Sequence, residues 1–287
     1  KTPLYFLVLS SIINIILDFV LILVFHMGVA GAATATVVSQ ALSGVGCLIV
    51  MKRRFPILHL SREEWKWDGK CAVRLCSMGV PMGLQYSITA IGSVILQASV
   101  NTLGSQAVAC VTAGSRIGMF FCCPYDAMGS TMSTYAGQNV GARKIRRVSE
   151  GLKSCTLLGL LYSAIACLIL CLFGSKIALL FVSAQEVAIL GKVQTFLIVN
   201  SAFYFPLALV NIVRFTIQGM GFSMLAVVAG VCEMVARSLV AFVFVPMFGY
   251  IAVCFASPVA WVFADIFLIP AFLYCIRSLQ KQESDLS

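Results

Sequence analysis

Apolar residues gather along this chain into eight long runs separated by short polar breaks. The runs are Leu4–His26, Gly28–Met51, Cys71–Val100, Ala107–Ala136, Leu152–Phe173, Val187–Val213, Ser223–Met247 and Gly249–Ile276. Each is near or above the roughly 20 residues that a helix needs to cross a bilayer. None alternates with period two, which argues against membrane strands. The pattern predicts an all-α, polytopic membrane protein of eight transmembrane helices. Turn residues mark most breaks: Met27-Gly28, Asn101-Thr102-Leu103-Gly104, Met220-Gly221 and Pro246-Met247-Phe248-Gly249. Two breaks read as longer polar connections, Lys52–Lys70 and Gly137–Gly151. The first holds Ser61-Arg62-Glu63-Glu64, a capping box, followed by Trp65 and Trp67. That predicts a short helix lying on the membrane surface.

Composition agrees with the pattern. Of 287 residues, 60% are hydrophobic and 11% charged, with a mean hydropathy of +0.99. A soluble domain is nearer half apolar and a quarter charged. The twelve Cys lie mostly inside the apolar runs and form no Cys-x-x-Cys pair, so they read as small buried hydrophobes.

The net charge of +9 becomes an orientation once it is sorted by side. With the start of the chain in the cytoplasm, sixteen of the twenty Lys and Arg fall on the cytoplasmic side, Arg214 included. Only Lys176 and Lys192 fall outside, while Arg116 and Arg237 lie within spans. This bias places both chain ends in the cytoplasm. The chain begins Lys1-Thr2-Pro3 without Met and runs at once into an apolar stretch, which reads as a piece lacking an upstream part.

The first and last pairs of spans resemble each other. Gly28-Val29-Ala30 aligns with Gly249-Tyr250-Ile251 and Thr36 with Ser257; a two-residue gap then brings Asn14 and Asp18 onto Glu233 and Arg237. The copies stand six spans apart and share one orientation. Two six-helix halves of parallel topology follow, the first represented by its last two helices. The domains expected are therefore 1–51, the end of an N-terminal lobe; 52–70, a linker; 71–278, a six-helix C-terminal lobe; and 279–287, a cytoplasmic tail.

Ionisable residues within spans are costly and so mark functional candidates. Asn14 and Asp18 lie four apart on one helix face, with Ser10 continuing the stripe, and Thr36 and Gln40 form a stripe on the next helix. Asp18 lies eight residues before His26 and Thr36 eight residues after Gly28, each roughly 12 Å below the outer surface. Asn14 and Gln40 then match one turn deeper. A carboxylate, an amide oxygen and a hydroxyl suit a small cation, and a desolvated carboxylate suits a proton. The same groups could instead glue two helices.

Glu233 and Arg237, also four apart, read either as an intrahelical salt bridge or as a gating or substrate-facing pair. Asp265 stands alone on the last span. Asp126 sits beside Pro124, where a kink is expected, with Arg116 too far along the same helix for a direct pair. Gln40, Gln85, Asp126, Glu233, Arg237 and Asp265 are the candidates for substrate contact or gating. Prolines 81, 124, 206, 258 and 270 favour bent helices around a cavity. Met and aromatic residues on the third and fourth spans, Tyr86 among them, suit packing or an adaptable pocket for flat ligands. The His-Glu-x-x-His, Gly-x-Ser-x-Gly and P-loop motifs are all missing, so the chain is read as not an enzyme, with no cofactor.

Four stretches carry a family resemblance. They are Thr2-Pro3-Leu4-Tyr5-Phe6 leading to Asn14-x3-Asp18; Gly28-Val29-Ala30-Gly31-Ala32-Ala33; Gly137-Gln138-Asn139-Val140-Gly141-Ala142; and Phe248-Gly249-Tyr250. The chain resembles the C-terminal two-thirds of a MATE (multidrug and toxic compound extrusion) transporter of the prokaryotic DinF-like type. That resemblance implies part of a twelve-helix fold of two six-helix lobes. It implies a monomeric antiporter of the plasma (inner) membrane that exports small organic, often cationic, compounds, driven by inward Na⁺ or H⁺. It also implies a cation or proton site at Asp18, Asn14 and Thr36. The Glu that another branch carries eight residues after a helix-entry Pro is Thr89 here, counted from Pro81, so a C-lobe cation site of that kind is not expected. Rival readings are a lipid-linked precursor flippase of the same superfamily, which would show a basic cavity, and a non-transporting receptor or channel.

Overall fold

The computed structural model describes residues 2–54, 66–179 and 187–284. Among these residues the backbone is almost wholly helical and contains no strand. The helices are α1 (Thr2–Phe19), α2 (Gly28–Arg54), α3 (Gly69–Asn101), α4 (Ser105–Gly141), α5 (Ile145–Ala178), α6 (Val187–Ala202), α7 (Tyr204–Gly219), α8 (Ser223–Leu239), α9 (Val245–Phe248) and α10 (Tyr250–Ser284). Seven segments are long and apolar enough to cross a membrane, and the bent pair α6–α7 makes eight. The all-α polytopic prediction holds. The outward faces are apolar: Leu158, Leu161, Leu168 and Leu172 are exposed on α5, while Arg214, Glu233 and Asp265 are buried. That inversion suits a lipid surroundings, where apolar contact costs nothing and polar groups must be satisfied internally.

The chain divides into two compact units, Lys1–Gly69 and Lys70–Ser287. In the first, α1 and α2 form an antiparallel hairpin. Ser10 Oγ donates to the Ser39 carbonyl at 3.2 Å, and Ser43 Oγ donates to the Phe6 carbonyl at 3.1 Å. Small residues allow the approach, with Gly31 against Leu21 and Gly46 against the Phe6 ring.

In the second unit a large core joins α4, α5, α6, α7 and α10. Tyr125 is fully buried, shares a 2.9 Å hydrogen bond with Ser163, and meets Tyr162 and Tyr204 edge-on. A smaller cluster around Val100, Val111, Val240 and Val253 ties α3 and α4 to the last hairpin.

The hairpins at the two ends share a backbone device that composition could not reveal. In the first, a π-helical turn covers Val20–Val24 and is followed by Gly28 at φ 56°. In the last, a π-helical turn covers Val240–Phe244 and is followed by Gly249 at φ 58°. Each π turn adds a residue to the helical ladder.

Several boundaries differ from expectation. The break at Gly137–Gly151 shrinks to three residues, because α4 runs to Gly141 and α5 begins at Ile145. Arg143, at φ 55°, makes the turn, and the Asn139 carbonyl accepts the Lys144 N–H at 2.8 Å. Polar residues end a hydrophobic run without ending a helix. The sixth span breaks at Phe203 by 50°. Pro206 has no N–H for the Ala202 carbonyl, so the ladder is interrupted there. Prolines 81, 124, 258 and 270 instead lie inside continuous helices. Helix α10 continues to Ser284, into the region expected as tail. The capping box at Ser61–Glu64 and Trp65 lies outside the described residues; Trp67 is exposed.

Contact between α4 and α7 depends on small residues. A Cβ on Gly219 would collide with the Ser133 backbone, and one on Gly137 would crowd the Gly219 carbonyl at 3.3 Å. Gly219→Ala is expected to lose about 1–3 kcal/mol by overpacking, more than the roughly 1 kcal/mol gained in helix propensity. Gly141→Ala, whose Cβ meets open space, is the control. Thermal unfolding in detergent checks this: a Gly219→Ala midpoint at or above that of the parent contradicts the packing.

Candidate functional site

The first polar group belongs to the α1–α2 hairpin. Asn14 Nδ2 donates to Thr36 Oγ1 at 3.5 Å, and Thr36 Oγ1 donates to the Ala32 carbonyl at 3.0 Å. Asp18 stands one turn along α1, its Oδ1 buried without a hydrogen-bond partner among the described residues. Thr36 therefore pairs with Asn14, not with Asp18, a register shift of one turn from the depth matching. Phe25, His26 and Met27 belong to neither long helix, so α1 and its π turn end at Val24 and the level moves. Gln40 is exposed on α2 rather than paired with Asn14.

The second group lies wholly within the second unit. Glu233 Oε1 accepts Arg214 Nη1 at 2.7 Å, and its Oε2 accepts Arg237 Nη2 at 3.2 Å. Side-chain exposures of 3% for Glu233 and about a tenth for each Arg make this a buried triad. Arg214 Nη2 also donates to Asn211 Oδ1 at 3.0 Å, and Arg237 Nη1 to the Thr89 carbonyl at 3.3 Å. The expected intrahelical pair is present, but a third member completes it.

A cavity of about 320 Å³ opens beside the triad, lined by Gln85 and Tyr86 on α3, Asp126 and Ser130 on α4, and Asn211, Arg214 and Phe215 on α7. Asp126 and Ser130 are four apart and share a face of α4. Gln85 Oε1 accepts Gln218 Nε2 at 3.3 Å. Asp265 is buried on α10 within electrostatic reach of Glu233 and Arg214, its Oδ1 without a hydrogen-bond partner among the described residues. Asp126 also feels Arg214. The structure thus brings Gln85 and Asp126 to one cavity and sets Glu233, Arg237 and Asp265 around its Arg. Arg116 is exposed and outside this group.

Arg214 is the residue that sequence reading misplaced. It was assigned to a cytoplasmic loop because the apolar run stops at Val213. Helix α7 continues to Gly219, and Arg214 is inside it, 9% exposed. Arg214 ends the apolar run without ending the helix, because Glu233 on α8 accepts its charge. A signal was available in Asn211, Arg214 and Gln218, which fall on one helix face at spacings of three and four. With Arg214 buried in α7 rather than in a loop, fifteen basic residues stay on the side assigned to the cytoplasm.

A family model described as MatE matches residues 81–243, more than half of the chain. The chain belongs to the MATE family. Among MATE relatives, the "Probable multidrug resistance protein YpnP" of Bacillus subtilis strain 168 is 28% identical over 214 residues, 74% of this chain and 47% of that protein. A protein of Shewanella oneidensis named "FAD transporter" is 26% identical over 250 residues, 83% of this chain and 53% of that one. The chain spans about half the length of the curated relatives it matches.

Among solved structures, an outward-facing multidrug resistance MATE transporter of the MOP superfamily superposes with a TM-score of 0.86 at 21% identity, covering 96% of this chain and 62% of that one. The Vibrio cholerae MATE transporter VcmN in its bent form gives 0.82 at 18%, covering 97% and 63%. At these identities the likeness shows the fold. MATE membership and the apolar helices make this a multi-pass membrane protein.

Removing Glu233 from the triad strands two buried guanidinium groups. Glu233→Ala is expected to cost about 3–5 kcal/mol, the scale of breaking a buried ion pair. Arg214→Gln is expected to cost less, because Glu233 keeps Arg237 as a neutral pair. Urea unfolding in detergent ranks the two variants; an equal or reversed order contradicts the shared-charge reading.

Proposed function

We propose that these helices serve a secondary active antiporter that exports small organic, often cationic, compounds against inward Na⁺ or H⁺ by alternating access. MATE membership supports transport, and the names of the multidrug resistance relatives favour organic compounds as cargo. The observation that carries the coupling site is the Asn14–Thr36 contact beside a buried, unpartnered oxygen of Asp18, on adjoining membrane helices. Such an oxygen suits a proton or a small cation, with Asn14 and Thr36 as further oxygen ligands. The π turn that follows Asp18 supplies a helix segment whose ladder can rearrange when the ion binds. Coupling requires ion and cargo to prefer different states of the transporter.

The lipid-linked precursor flippase reading calls for a strongly basic cavity. The cavity here sets one Arg against one Asp, so antiport is preferred. A receptor or channel gives no use for paired polar stripes on neighbouring helices. The inner membrane, cytoplasmic ends and a monomeric transporter complete the proposal. Fifteen basic residues against Lys176 and Lys192 support the orientation.

Asp18→Asn in the full-length transporter is expected to abolish ion-driven efflux of a fluorescent organic cation from loaded vesicles while leaving cation binding in detergent intact. Unchanged efflux removes Asp18 from the coupling site. Comparing a Na⁺ gradient with a pH gradient names the ion.

A further inference from the structure

The cysteines of this chain read in the sequence as small buried hydrophobes, and one pair on α5 departs from that reading. Cys171 is exposed beside Leu168 and Leu172, and Cys167 is half-buried one turn before it. Both thiols are free, and their Sγ atoms stand 4.0 Å apart. The seam between α5 and α6 holds them there. Gln194 Nε2 on α6 donates to the Leu170 and Cys171 carbonyls, each at 3.3 Å. Gly174 leaves room for that amide, because a Cβ at this position would collide with it. Two turns further along α6, Ser201 Oγ lies 3.7 Å from Cys167 Sγ. The Ser201 hydroxyl has one proton to give, and the Ile198 carbonyl at 3.0 Å is its other acceptor. A thiolate at Cys167 draws that proton toward the sulfur. Gln194 thus fixes the backbone of one cysteine, and Ser201 supplies a donor to the other.

We propose that Cys167 and Cys171 form a dithiol site for a soft, two-coordinate divalent cation of the Hg(II) type. Thiolate is the metal-binding form of cysteine, and it selects soft metals. Two metal–sulfur bonds of zinc-like length, about 2.3 Å each, span about 4.6 Å when in line, so the sulfurs need to open by only about 0.6 Å from their present 4.0 Å. A disulfide needs them to close to about 2.05 Å, the larger movement. Coordination number makes the first selection. Structural Zn(II) takes four protein ligands, and among the described residues no group of three or more His, Cys, Asp or Glu could hold a metal. Charge makes the second selection, because a net charge inside a membrane span is costly. Mercuric chloride gives up two chlorides, the two thiols give up two protons, and two Hg–S bonds form with no change of oxidation state. The bridge is neutral, whereas Cu(I) or Ag(I) between two thiolates leaves a negative charge. Mercuric chloride is itself neutral and can reach Cys171 through lipid. Cys171 stands roughly 10 Å along α5 from its end at Ala178. The site is independent of the export reading.

The test loads the reduced, purified full-length transporter in detergent with mercuric chloride alone. The sample is then challenged with about a tenfold molar excess of glutathione, a monothiol that strips singly held mercury, while a chelating pair keeps its metal through high effective concentration. Intact-mass spectrometry counts the mercury atoms that stay. The native protein is expected to keep one more than Cys167→Ala or Cys171→Ala. Cys171→Ala combined with Leu172→Cys preserves the number of thiols but moves one to another face of α5, and it is expected to lose the same atom. Cys123→Ala, at an exposed cysteine of α4, keeps it. Zn(II) loaded in the same way gives no difference between the native protein and Cys171→Ala. Cys171 and Leu172 are exposed, so their variants stand as the test should Cys167→Ala fail to fold. Equal mercury counts in the native protein and Cys171→Ala overturn the assignment. So do retention by the moved thiol, loss in Cys123→Ala, or a Zn(II) count that follows the mercury pattern.

Discussion

Charge buried among membrane helices has no water to turn to, and Glu233 is where this chain meets that constraint. Its two oxygens hold two Arg side chains from different helices, 2.7 and 3.2 Å away. The consequences spread outward. Arg214 can lie within α7, so that helix continues past the last apolar residue of its run. Arg237 reaches the Thr89 carbonyl, which fastens α8 to α3. Arg214 also lines a cavity with Asp126, which lies within its field, so that cavity carries both signs of charge.

Packing follows from a second consequence of the membrane. Lipid-facing surfaces gain little by burial, so helices associate through close approach and hydrogen bonds. Gly219 against Ser133, Gly31 against Leu21 and Gly92 against Met234 are such approaches. Polar contacts run through the same surfaces, from Ser99 Oγ to the Ala241 carbonyl and from Ser10 Oγ to the Ser39 carbonyl. The π turns near Asp18 and Arg237 interrupt regular ladders just where the polar residues sit, an arrangement that recurs in both hairpins.

How much of the site was legible depends on which elements meet. Asn14, Asp18 and Thr36 could be grouped from spacing, because they lie on consecutive antiparallel helices joined by a short turn. The register was off by one turn because Phe25 and His26 were counted as helix, whereas the helical ladder ends at Val24. Gln85, Asp126, Glu233, Arg237 and Asp265 were each visible as polar groups in apolar runs, but nothing in their spacing showed that they surround one Arg. Arg214 was missed outright, since a local hydropathy window counts a charge without seeing its partner nineteen residues away.

The amino-acid sequence by itself determined that the chain is helical, that it crosses a membrane about eight times, which residues bring polarity into the spans, and which family it resembles. Those properties follow from local composition and from the thickness of a bilayer, and they need no contact between distant residues. Only the tertiary structure decided where helices continue past charges, which carboxylate neutralises which guanidinium, where Pro206 breaks a span while Pro124 does not, and which side chains line one cavity. Each of these depends on whether a partner from another helix satisfies a buried group, and that is a property of the packed assembly of helices rather than of any one stretch.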